Sequence, residues 1–291
     1  RLNRDRENKE FLPGIAFPDN ILCTHDVKLC CEDADLIITA APSPATRSTA
    51  KTLAPYIRSG QRMVNISKGL EHDTLKRLSE VYEEEIPQAD ISVMSGPSHA
   101  EEVARALPTT DVVASKDVKT AEYIQDILMG ENFRIYTSTD IKGVELGGAL
   151  KNVIALCAGI SDGLGYGDNT KAALMTRGLA EIARLGAAMG ANPATFMGLS
   201  GVGDLIVTCT SMHSRNRRAG ILLGQGKSLE ETLKEVHMVV EGVNTARAAY
   251  DLSKKYHIEM PIVEEANKIL FEGKNAREAV LSLMTREKKG E

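Results

Sequence analysis

A change of hydrophobic pattern near residue 140 divides this sequence into two unlike parts. Before it, short apolar runs alternate with helix-like segments, which predicts a mainly parallel sheet with helices on its faces. From Asp140 onward the periodic segments are all helix-like and no run is typical of a strand. We therefore predict an α/β fold with two parts: a doubly wound, here incomplete, sheet domain over residues 1–139 and an all-helical domain over residues 140–291.

The predicted elements follow this division. Five apolar runs are predicted to be strands, at residues 36–41, 62–66, 91–94, 110–114 and 133–136. The helices predicted between them span residues 46–58, 73–84, 99–105 and 118–128. Further helices are predicted at residues 144–160, 169–189, 215–223, 229–237, 245–256, 262–271 and 275–284. Two glycine clusters follow no strand and are predicted to form tight connections between helices: Gly159, Gly163, Gly165 and Gly167, and separately Gly198, Gly201 and Gly203.

The beginning of the sequence is unusual for such a fold. A doubly wound dinucleotide domain opens with a strand, a glycine-rich turn and a helix whose N-terminus holds the pyrophosphate. No such pattern precedes Asn20, and residues 1–10 are charged and helix-like. We hypothesise that a βαβ start of roughly 30 residues or more is missing. If the protein does begin at Arg1, we expect severely weakened dinucleotide binding and little activity.

Composition argues against several classes of function. The formal net charge is −5, from 35 basic and 40 acidic side chains, and aromatic residues make up only 4%, so we expect no nucleic-acid partner. No apolar run reaches the length of about 18 residues that a membrane span needs. The five cysteines and six histidines lack the spacing of metal ligands, so we expect reduced thiols, no metal site and a cytoplasmic location.

Lys151 is the first candidate for chemistry because its helical neighbours are very small. On a helix it lies one turn from Gly147 and Gly148, which would let a ligand approach closely. The plainer alternative is a lysine whose stem packs while its amine reaches solvent. Asp204 lies among glycine and apolar residues, and its plainer alternative is a helix N-cap. If the two side chains meet, the carboxylate would oppose the loss of the lysine's charge on burial and keep the ammonium available as a general acid.

A basic cluster at a predicted helix start is a candidate anion site. Ser214 is a suitable N-cap, and Arg215 and Asn216 follow it directly. A guanidinium together with the free amides of a helix start suits a small phosphorylated ligand. A solvated basic surface explains the same residues equally well.

The ends of two predicted strands carry further candidates. Lys68 follows the strand at residues 62–66, and Gly96 and Ser98 follow the strand at residues 91–94. Ligands of doubly wound folds bind beyond the carboxyl ends of parallel strands, which favours a binding role for all three. Ordinary turns use the same residue types.

Taken together, these segments closely resemble bacterial-type NAD(P)-dependent glycerol-3-phosphate dehydrogenases. The matching motifs, in chain order, are SKGLE (67–71), SGPSHAEE (95–102), ELGGALKNV (145–153), GVGDLIVTCTS (201–211), SRNRRAG (214–220), VVEGVNT (239–245) and GKNAREA (273–279). Each motif alone is a weak signal, but their shared order over almost the whole sequence makes coincidence very improbable. The family's glycine-rich βαβ start is the part without a match.

The resemblance implies a Rossmann-type domain followed by a helical domain. It implies reversible reduction of dihydroxyacetone phosphate to sn-glycerol 3-phosphate with NADH or NADPH, for glycerophospholipid synthesis, by a homodimer. The preference between the two cofactors is normally encoded after the second strand, in the part without a match.

The resemblance also implies roles for individual residues. Lys151 matches the catalytic lysine that exchanges a proton with the substrate oxygen, and Asp204 supports its charge. Positions that contact the substrate are matched by Lys68, Gly96, Ser98, Lys151, Asp204, Ser214, Arg215 and Asn216. Positions that contact the cofactor are matched by Lys68, Ala100, Arg215, Val239 and Glu241. Ser98 stands where the family often has threonine, so the hydroxyl is retained.

Two other functions stay open at this point. Another β-hydroxyacid-type dehydrogenase, such as a relative of 6-phosphogluconate dehydrogenase, would have the same arrangement of a Rossmann-type domain followed by helices. The SRNRRAG and GVGDL motifs argue against it. A non-catalytic module that senses NAD(P) or phosphate would bind ligand without turnover. The presence of both Lys151 and Asp204 argues against that module.

Overall fold

The computed structural model describes residues 1–288 and residue 290, and its elements change from mixed to helical along the chain. Before residue 140 the elements are α1 (Leu2–Asp5), β1 (Glu7–Asn8), β2 (Leu12–Ala16), α2 (Val27–Cys31), β3 (Ile37–Thr39), α3 (Thr46–Leu53), β4 (Arg62–Asn65), α4 (Leu78–Glu85), β5 (Asp90–Ser95), α5 (Ala100–Val103), β6 (Thr109–Ala114), α6 (Val118–Leu128) and β7 (Phe133–Ser138). Short 3-10 turns at Ser43–Ala45 and Ala54–Tyr56 flank α3. Each of the five predicted strands is therefore present.

Strands β3 to β7 form one five-stranded sheet in the order of the sequence. Every neighbouring pair is parallel except β5 and β6, which run antiparallel with Ser95 opposite Val112. The predicted mainly parallel sheet is confirmed, and the antiparallel step has a simple cause. Helix α5 has 4 residues, which span only about 6 Å. It is too short to carry the chain back along a six-residue strand, as a parallel crossover requires.

Residues 1–16 form a short helix and a hairpin, so the expectation of one helix-like segment over residues 1–10 is wrong. Helix α1 ends where Arg6 adopts a left-handed conformation with φ 51°, and β1 and β2 then pair antiparallel. The guanidinium of Arg6 donates to the carbonyl oxygen of Ile21 at 2.7 Å, which ties the hairpin to the following loop. Helix α2, which the pattern also did not predict, begins after an N-cap at Asp26.

Three helices are shorter than predicted, those at residues 46–58, 73–84 and 99–105. Helix α3 gives way to a 3-10 turn that contains Pro55, whose ring cannot continue an α-helix. A left-handed Leu75, with φ 58°, lies before α4, and a left-handed Ala106, with φ 55°, follows α5. Helix α6 has the predicted bounds.

Only helices follow β7 in the part of the chain that the structure describes. They are α7 (Ile141–Gly163), α8 (Asp168–Ala188), α9 (Asp204–Thr210), α10 (Arg215–Gly224), α11 (Leu229–Val236), α12 (Glu241–Lys255), α13 (Pro261–Phe271) and α14 (Ala276–Met284). Helix α9 was not predicted, nor were the 3-10 turn at Pro193–Met197 and the π-helical turn at Leu199–Gly203 that precede it. The second glycine cluster does lie in this connection. The division of the chain into domains at residue 140, just before α7, stays a prediction.

Helix α7 is the central helix of the second part. Every residue from Gly143 to Leu156 is buried, because α8, α9, α10 and α12 all pack around this helix. By length and composition α7 could cross a membrane, but 94% of its most apolar window is buried inside the protein. Its apolar character is therefore accounted for by the protein core.

Glycines bring α7 and α10 into direct backbone contact. A Cβ on Gly159 would lie 2.9 Å from the Cα of Gly220, and one on Gly163 would lie 3.0 Å from the Cα of Gly224. The expectation that Gly159 and Gly163 form connections between helices is therefore wrong, since both lie within α7 and allow close packing. Gly165, with φ 81°, does turn the chain after the helix. This close approach holds α10 against the second half of α7.

Candidate active site

Lys151 lies in the middle of α7, with only 5% of its surface exposed. The glycines one turn before it let two other segments approach. A Cβ on Gly147 would lie 2.5 Å from the carbonyl oxygen of Ser200, and one on Gly148 would clash with the hydroxyl of Ser95. The amine is thus enclosed between the strand end, the π-helical turn and its own helix, so the alternative of a solvent-reaching lysine is wrong.

Asp204 lies between two lysine amines. Its Oδ1 accepts a hydrogen bond from Nζ of Lys151, and its Oδ2 lies 2.7 Å from Nζ of Lys68. Lys151 also donates to the hydroxyl of Thr208 at 2.7 Å, and Lys68 also donates to the carbonyl oxygen of Gly96 at 2.8 Å. An ammonium has three N–H groups, of which these contacts use two on each lysine, and the two amines also lie within hydrogen-bonding reach of each other.

The π-helical turn at Leu199–Gly203 immediately precedes Asp204, the first residue of α9. Such turns are rare and frequently occur at functional sites. Gly201 packs so tightly on the backbone of Phe196 that a side chain there would clash. The side chain of Asp204 makes no capping bond to α9 and is only 1% exposed, so the N-cap alternative is wrong.

The charges of this cluster shift one another's pKa. Burial lowers the pKa of Lys151 to about 8, since the attraction of Asp204 offsets burial only in part and Lys68 adds repulsion. Burial alone would lower the pKa of Lys68 too, but the carboxylates of Asp204 and Asp111 outweigh it and raise that pKa. Burial alone would raise the pKa of Asp204, but the two lysines outweigh it and lower that pKa. Lys151 is therefore the group of the cluster that loses its proton closest to neutral pH.

Lys68 and the turn at residues 96–98 lie just beyond the carboxyl ends of β4 and β5, which are neighbours in the sheet. The hydroxyl of Ser98 donates to the carbonyl oxygen of Gly96 at 3.2 Å, the same oxygen that Lys68 contacts. A Cβ on Gly96 would lie 2.5 Å from Oδ1 of Asp111, so only glycine fits there. The structure thus brings the candidates from two strand ends together with the lysine of α7.

The beginning of α10 carries three more candidates, and part of their hydrogen-bonding capacity is already used. Ser214 caps α10, its hydroxyl accepting a backbone N–H bond at 3.2 Å. The amide of Asn216 donates to the side chain of Asn152 at 3.0 Å and accepts from the backbone N–H of Gly242 at 2.8 Å. Because Asn152 follows Lys151 on α7, this bridge joins the α10 start to the lysine's helix. Arg215, between them, is only partly buried.

The candidates for cofactor contact lie around this cluster. Arg215 donates to the carbonyl oxygen of Val239 at 3.2 Å, and Val239 is 38% exposed. Glu241, at the start of α12, accepts from the backbone N–H of Ser43 at 2.9 Å and from its hydroxyl. This contact ties the helical part to the turn after β3. Ala100 is exposed at the start of α5.

Four residues of the site are not singled out by the sequence pattern: Thr208, Asn152, Asp111 and Ser43. Thr208 lies four residues after Asp204 on α9, so helical spacing would have found it once that helix was recognised. Asp111 and Ser43 reach the site through strand pairing and the docking of α12, for which no local signal exists.

Comparison with known proteins gives a consistent result. The family model for the NAD-dependent glycerol-3-phosphate dehydrogenase N-terminus matches residues 1–121, and the model for the C-terminus of the same family matches residues 140–281. The glycerol-3-phosphate dehydrogenase (NAD(P)+) of Desulfitobacterium hafniense is 58% identical over 290 residues, which cover 100% of this chain and 82% of that protein. The corresponding protein of a Thermoanaerobacter species is 59% identical over 286 residues, covering 98% of this chain and 86% of that protein.

Solved structures agree with the sequence comparisons. The crystal structure of glycerol-3-phosphate dehydrogenase from Coxiella burnetii matches with a TM-score of 0.94 at 37% identity, covering 98% of this chain and 87% of that one. The enzyme structure from Dunaliella salina matches with a TM-score of 0.89 at 26% identity, covering 96% of this chain and 50% of that one. With these coverages, both similarities include the sheet and the helices.

Proposed function

Because the chain belongs to the NAD-dependent glycerol-3-phosphate dehydrogenase family, we propose that it reversibly reduces dihydroxyacetone phosphate to sn-glycerol 3-phosphate, with Lys151 as the proton donor. By its family the protein is an NAD(P)-dependent oxidoreductase. The observation that carries the roles of the residues is the buried cluster in which Asp204 bridges Lys151 and Lys68.

Lys151 supplies the proton during reduction. Negative charge develops on the carbonyl oxygen as it becomes a hydroxyl, and a preorganised donor stabilises that charge best where water is excluded. The third N–H of Lys151 is left for the ligand, because the charged Lys68 beside it cannot accept a hydrogen bond, and Lys151 is nearly inaccessible to solvent. In the reverse direction the neutral amine accepts the proton of the substrate hydroxyl.

Asp204 and Thr208 orient the donor. Without a carboxylate in contact, burial would leave Lys151 a neutral amine that cannot act as an acid. Two of its N–H groups are fixed by Asp204 and Thr208, so the third has a defined direction. Lys68 keeps its charge beside them and binds the reacting end of the substrate.

The beginning of α10 holds the phosphate group at the other end of the substrate. The guanidinium of Arg215 suits two phosphate oxygens, and the free amides of this ten-residue helix add donors. The hydroxyl of Ser214 and the amide of Asn216 hold this helix start in place, and Asn216 keeps one N–H for the ligand. Binding the phosphate there positions the carbonyl next to Lys151.

The residues around the cluster fit a nicotinamide dinucleotide. Ala100 and Val239 offer exposed apolar surface, and Arg215 offers a cation. Lys68 and Glu241 complete the set that would hold the cofactor, while the remaining N–H of Lys68 is kept for the substrate. When bound, the nicotinamide supplies the hydride for the carbonyl carbon.

The reaction is tested by following the absorbance of reduced nicotinamide with dihydroxyacetone phosphate, in a protein that carries a family-type βαβ start ahead of Arg1. We expect turnover with at least one of NADH and NADPH, and none with 6-phosphogluconate and the oxidised cofactors, the substrate pair of the sibling enzymes. Binding of NADH or NADPH without any turnover would favour a sensing module instead. Turnover with 6-phosphogluconate would instead assign the protein to another dehydrogenase with the same fold.

The pH dependence of the reaction should follow Lys151, whose pKa burial lowers to about 8. Its amine is protonated below that pH and neutral above it. Above pH 8, kcat/KM for reduction is therefore expected to fall about tenfold per unit, while kcat/KM for oxidation of sn-glycerol 3-phosphate rises up to that pH and then levels. Initial rates in both directions from pH 6.5 to 9.5 check this, and a reduction profile that stays flat to pH 9.5 would contradict it.

A homodimeric state, a cytoplasmic location and a role in glycerophospholipid synthesis belong to the same proposal, because they accompany this activity in the family. Light scattering of the purified protein measures the first of these directly. A mass equal to one chain at micromolar concentration would exclude the dimer and leave the proposed reaction untouched.

A further inference from the structure

Asp111 is a buried acid beside the site, and it takes no part in the proton step described above. It lies in β6 and is 2% exposed. Because the antiparallel register sets Ser95 opposite Val112, Asp111 is level with Gly96, just beyond the end of β5. A carboxylate is rarely buried unless it is paired or hydrogen-bonded, so its contacts indicate what it does.

The carboxylate of Asp111 packs against the turn that binds Lys68. A Cβ on Gly96 would lie 2.5 Å from Oδ1 of Asp111 and 3.1 Å from its Cγ, so the acid fills the space beside this glycine. Its Oδ1 accepts from the backbone N–H of Val112 at 2.9 Å, and the hydroxyl of Ser98 lies within reach of both this carboxylate and the carbonyl oxygen of Gly96, with one proton to donate to either. The carbonyl oxygen of Gly96 in turn accepts from Lys68 at 2.8 Å. Asp111 is therefore linked to Lys68 through one intervening residue, Gly96, which contacts both.

Charge balance gives a second reason for an acid at this position. The ammonium groups of Lys68 and Lys151 are enclosed together, and Asp204 is the carboxylate in contact with both. One buried and one partly buried cation with a single anion leave a positive charge without compensation, which is unfavourable where water has little access. The carboxylate of Asp111 provides the second negative charge and makes the group of four neutral.

On the basis of the proposed function, we propose that Asp111 is a positioning residue for Lys68. It holds the turn at residues 96–98 in place and balances the ammonium charge of Lys68. Lys68 then binds the substrate as a permanent cation, while the proton that moves in the reaction belongs to Lys151.

The different behaviour of the two lysines agrees with this division of roles. Burial acts on both, and Asp204 contacts both, yet the pKa of Lys151 is lowered and that of Lys68 is raised. Among the described residues, Lys68 faces Asp204 from α9, Lys151 from α7 and Asp111 from β6, and His99 lies nearby at the start of α5. Of these charges, Asp111 is among the strongest acting on Lys68 and is not among the strongest acting on Lys151. Burial raises the pKa of Asp111 itself, against the attraction of Lys68.

The test is the substitution Asp111→Asn, which removes the negative charge of the side chain and keeps its shape. Removing an opposite charge at close range lowers a lysine pKa by about 1–3 units, which brings Lys68 into the range of the assay. KM for dihydroxyacetone phosphate is therefore expected to rise by about twofold or more between pH 7 and pH 9.5 in the variant and to stay nearly constant in the unmodified protein, where the pKa of Lys68 is raised. The pKa that governs the fall of kcat at high pH reports Lys151 in the substrate complex, and it is expected to change by less than about half a pH unit.

Two comparisons separate this role from general destabilisation. Asp90→Asn changes another acid of the same sheet, which accepts a hydrogen bond from Thr120 at 2.5 Å away from the lysines, and should leave the pH dependence of KM unchanged. If Asp111→Asn does not fold, Asp111→Ser removes the same charge with a smaller side chain and should show the same rise of KM. A KM profile of the charge-free variant that runs parallel to that of the unmodified protein would overturn the proposal. Absence of turnover in the protein that carries the βαβ start and no substitution would contradict the proposed function instead, so the two failures are distinct.

Discussion

Replacing Lys151 with methionine is expected to lower kcat/KM for dihydroxyacetone phosphate by about 10³-fold, because the carbonyl oxygen loses its proton donor. Methionine keeps most of the volume of the lysine stem, so the buried space that Lys151 occupies on α7 stays filled. The remaining buried charge of Asp204 stays paired with Lys68 at 2.7 Å, and the variant is therefore expected to fold. Rates of nicotinamide oxidation and a thermal unfolding curve measure both expectations.

Lys142→Met is the matched control for this experiment. Lys142 lies on the same helix, is exposed, and donates to the carbonyl oxygen of Met189 at 3.0 Å, away from the cluster. Its replacement should change kcat/KM less than about twofold, as is usual for surface changes away from a site. If Lys151→Met kept more than a tenth of the unmodified activity, Lys151 would not be the proton donor, and Lys68 would be the next candidate.

Replacing Gly220 with alanine is expected to lower the free energy of unfolding by about 3 kcal/mol, because the added methyl group overpacks a backbone contact. A Cβ at this position would clash with the carbonyl oxygen of Leu156 and lie 2.8 Å from the backbone nitrogen of Ile160. Two backbones cannot adjust as a flexible side chain can, so α10 must move away from α7. Urea denaturation of the two proteins measures the loss.

The same substitution should reduce activity in the fraction that folds, because α10 carries Arg215 and Asn216 at its beginning. A displaced helix weakens the bond between Asn216 and Asn152 and moves the phosphate site away from Lys151. Gly130→Ala is the control, since a Cβ there meets nothing within 4 Å and the residue does not have a positive φ. A Gly220→Ala protein as stable as Gly130→Ala would show that the helices can separate without cost.

Much of the site could be named from the sequence because its signals are local. Small residues one turn before Lys151, an acid among glycines at Asp204 and a serine cap at Ser214 are all visible within a few positions. Lys68 and Gly96 each follow a strand that apolar runs predict, and the general rule for ligand sites in parallel sheets then brings them to one edge. The order of the motifs along the chain gave the family, which the comparisons confirm.

The residues that were missed depend on contacts between distant segments. Asp111 looks like an ordinary polar residue in an apolar strand until the antiparallel pairing of β5 and β6 sets it beside Gly96. Ser43 meets Glu241 across 198 positions of sequence, through the docking of α12. The glycines of α7 resemble turn residues in the sequence, since nothing local distinguishes a glycine needed for a turn from one needed for a close helix contact.

The sequence by itself therefore determined the fold class, the strands of the sheet, most of the helices and the candidate proton donor, because periodicity and residue size act over one or two turns. The tertiary structure decided which charges meet. It placed Asp204 between Lys151 and Lys68, added Asp111 as a second acid, and left Lys151 with the lowered pKa. Burial and charge pairing act through space on groups far apart in the chain, and this is why the distribution of protons in the site follows only from the packed structure.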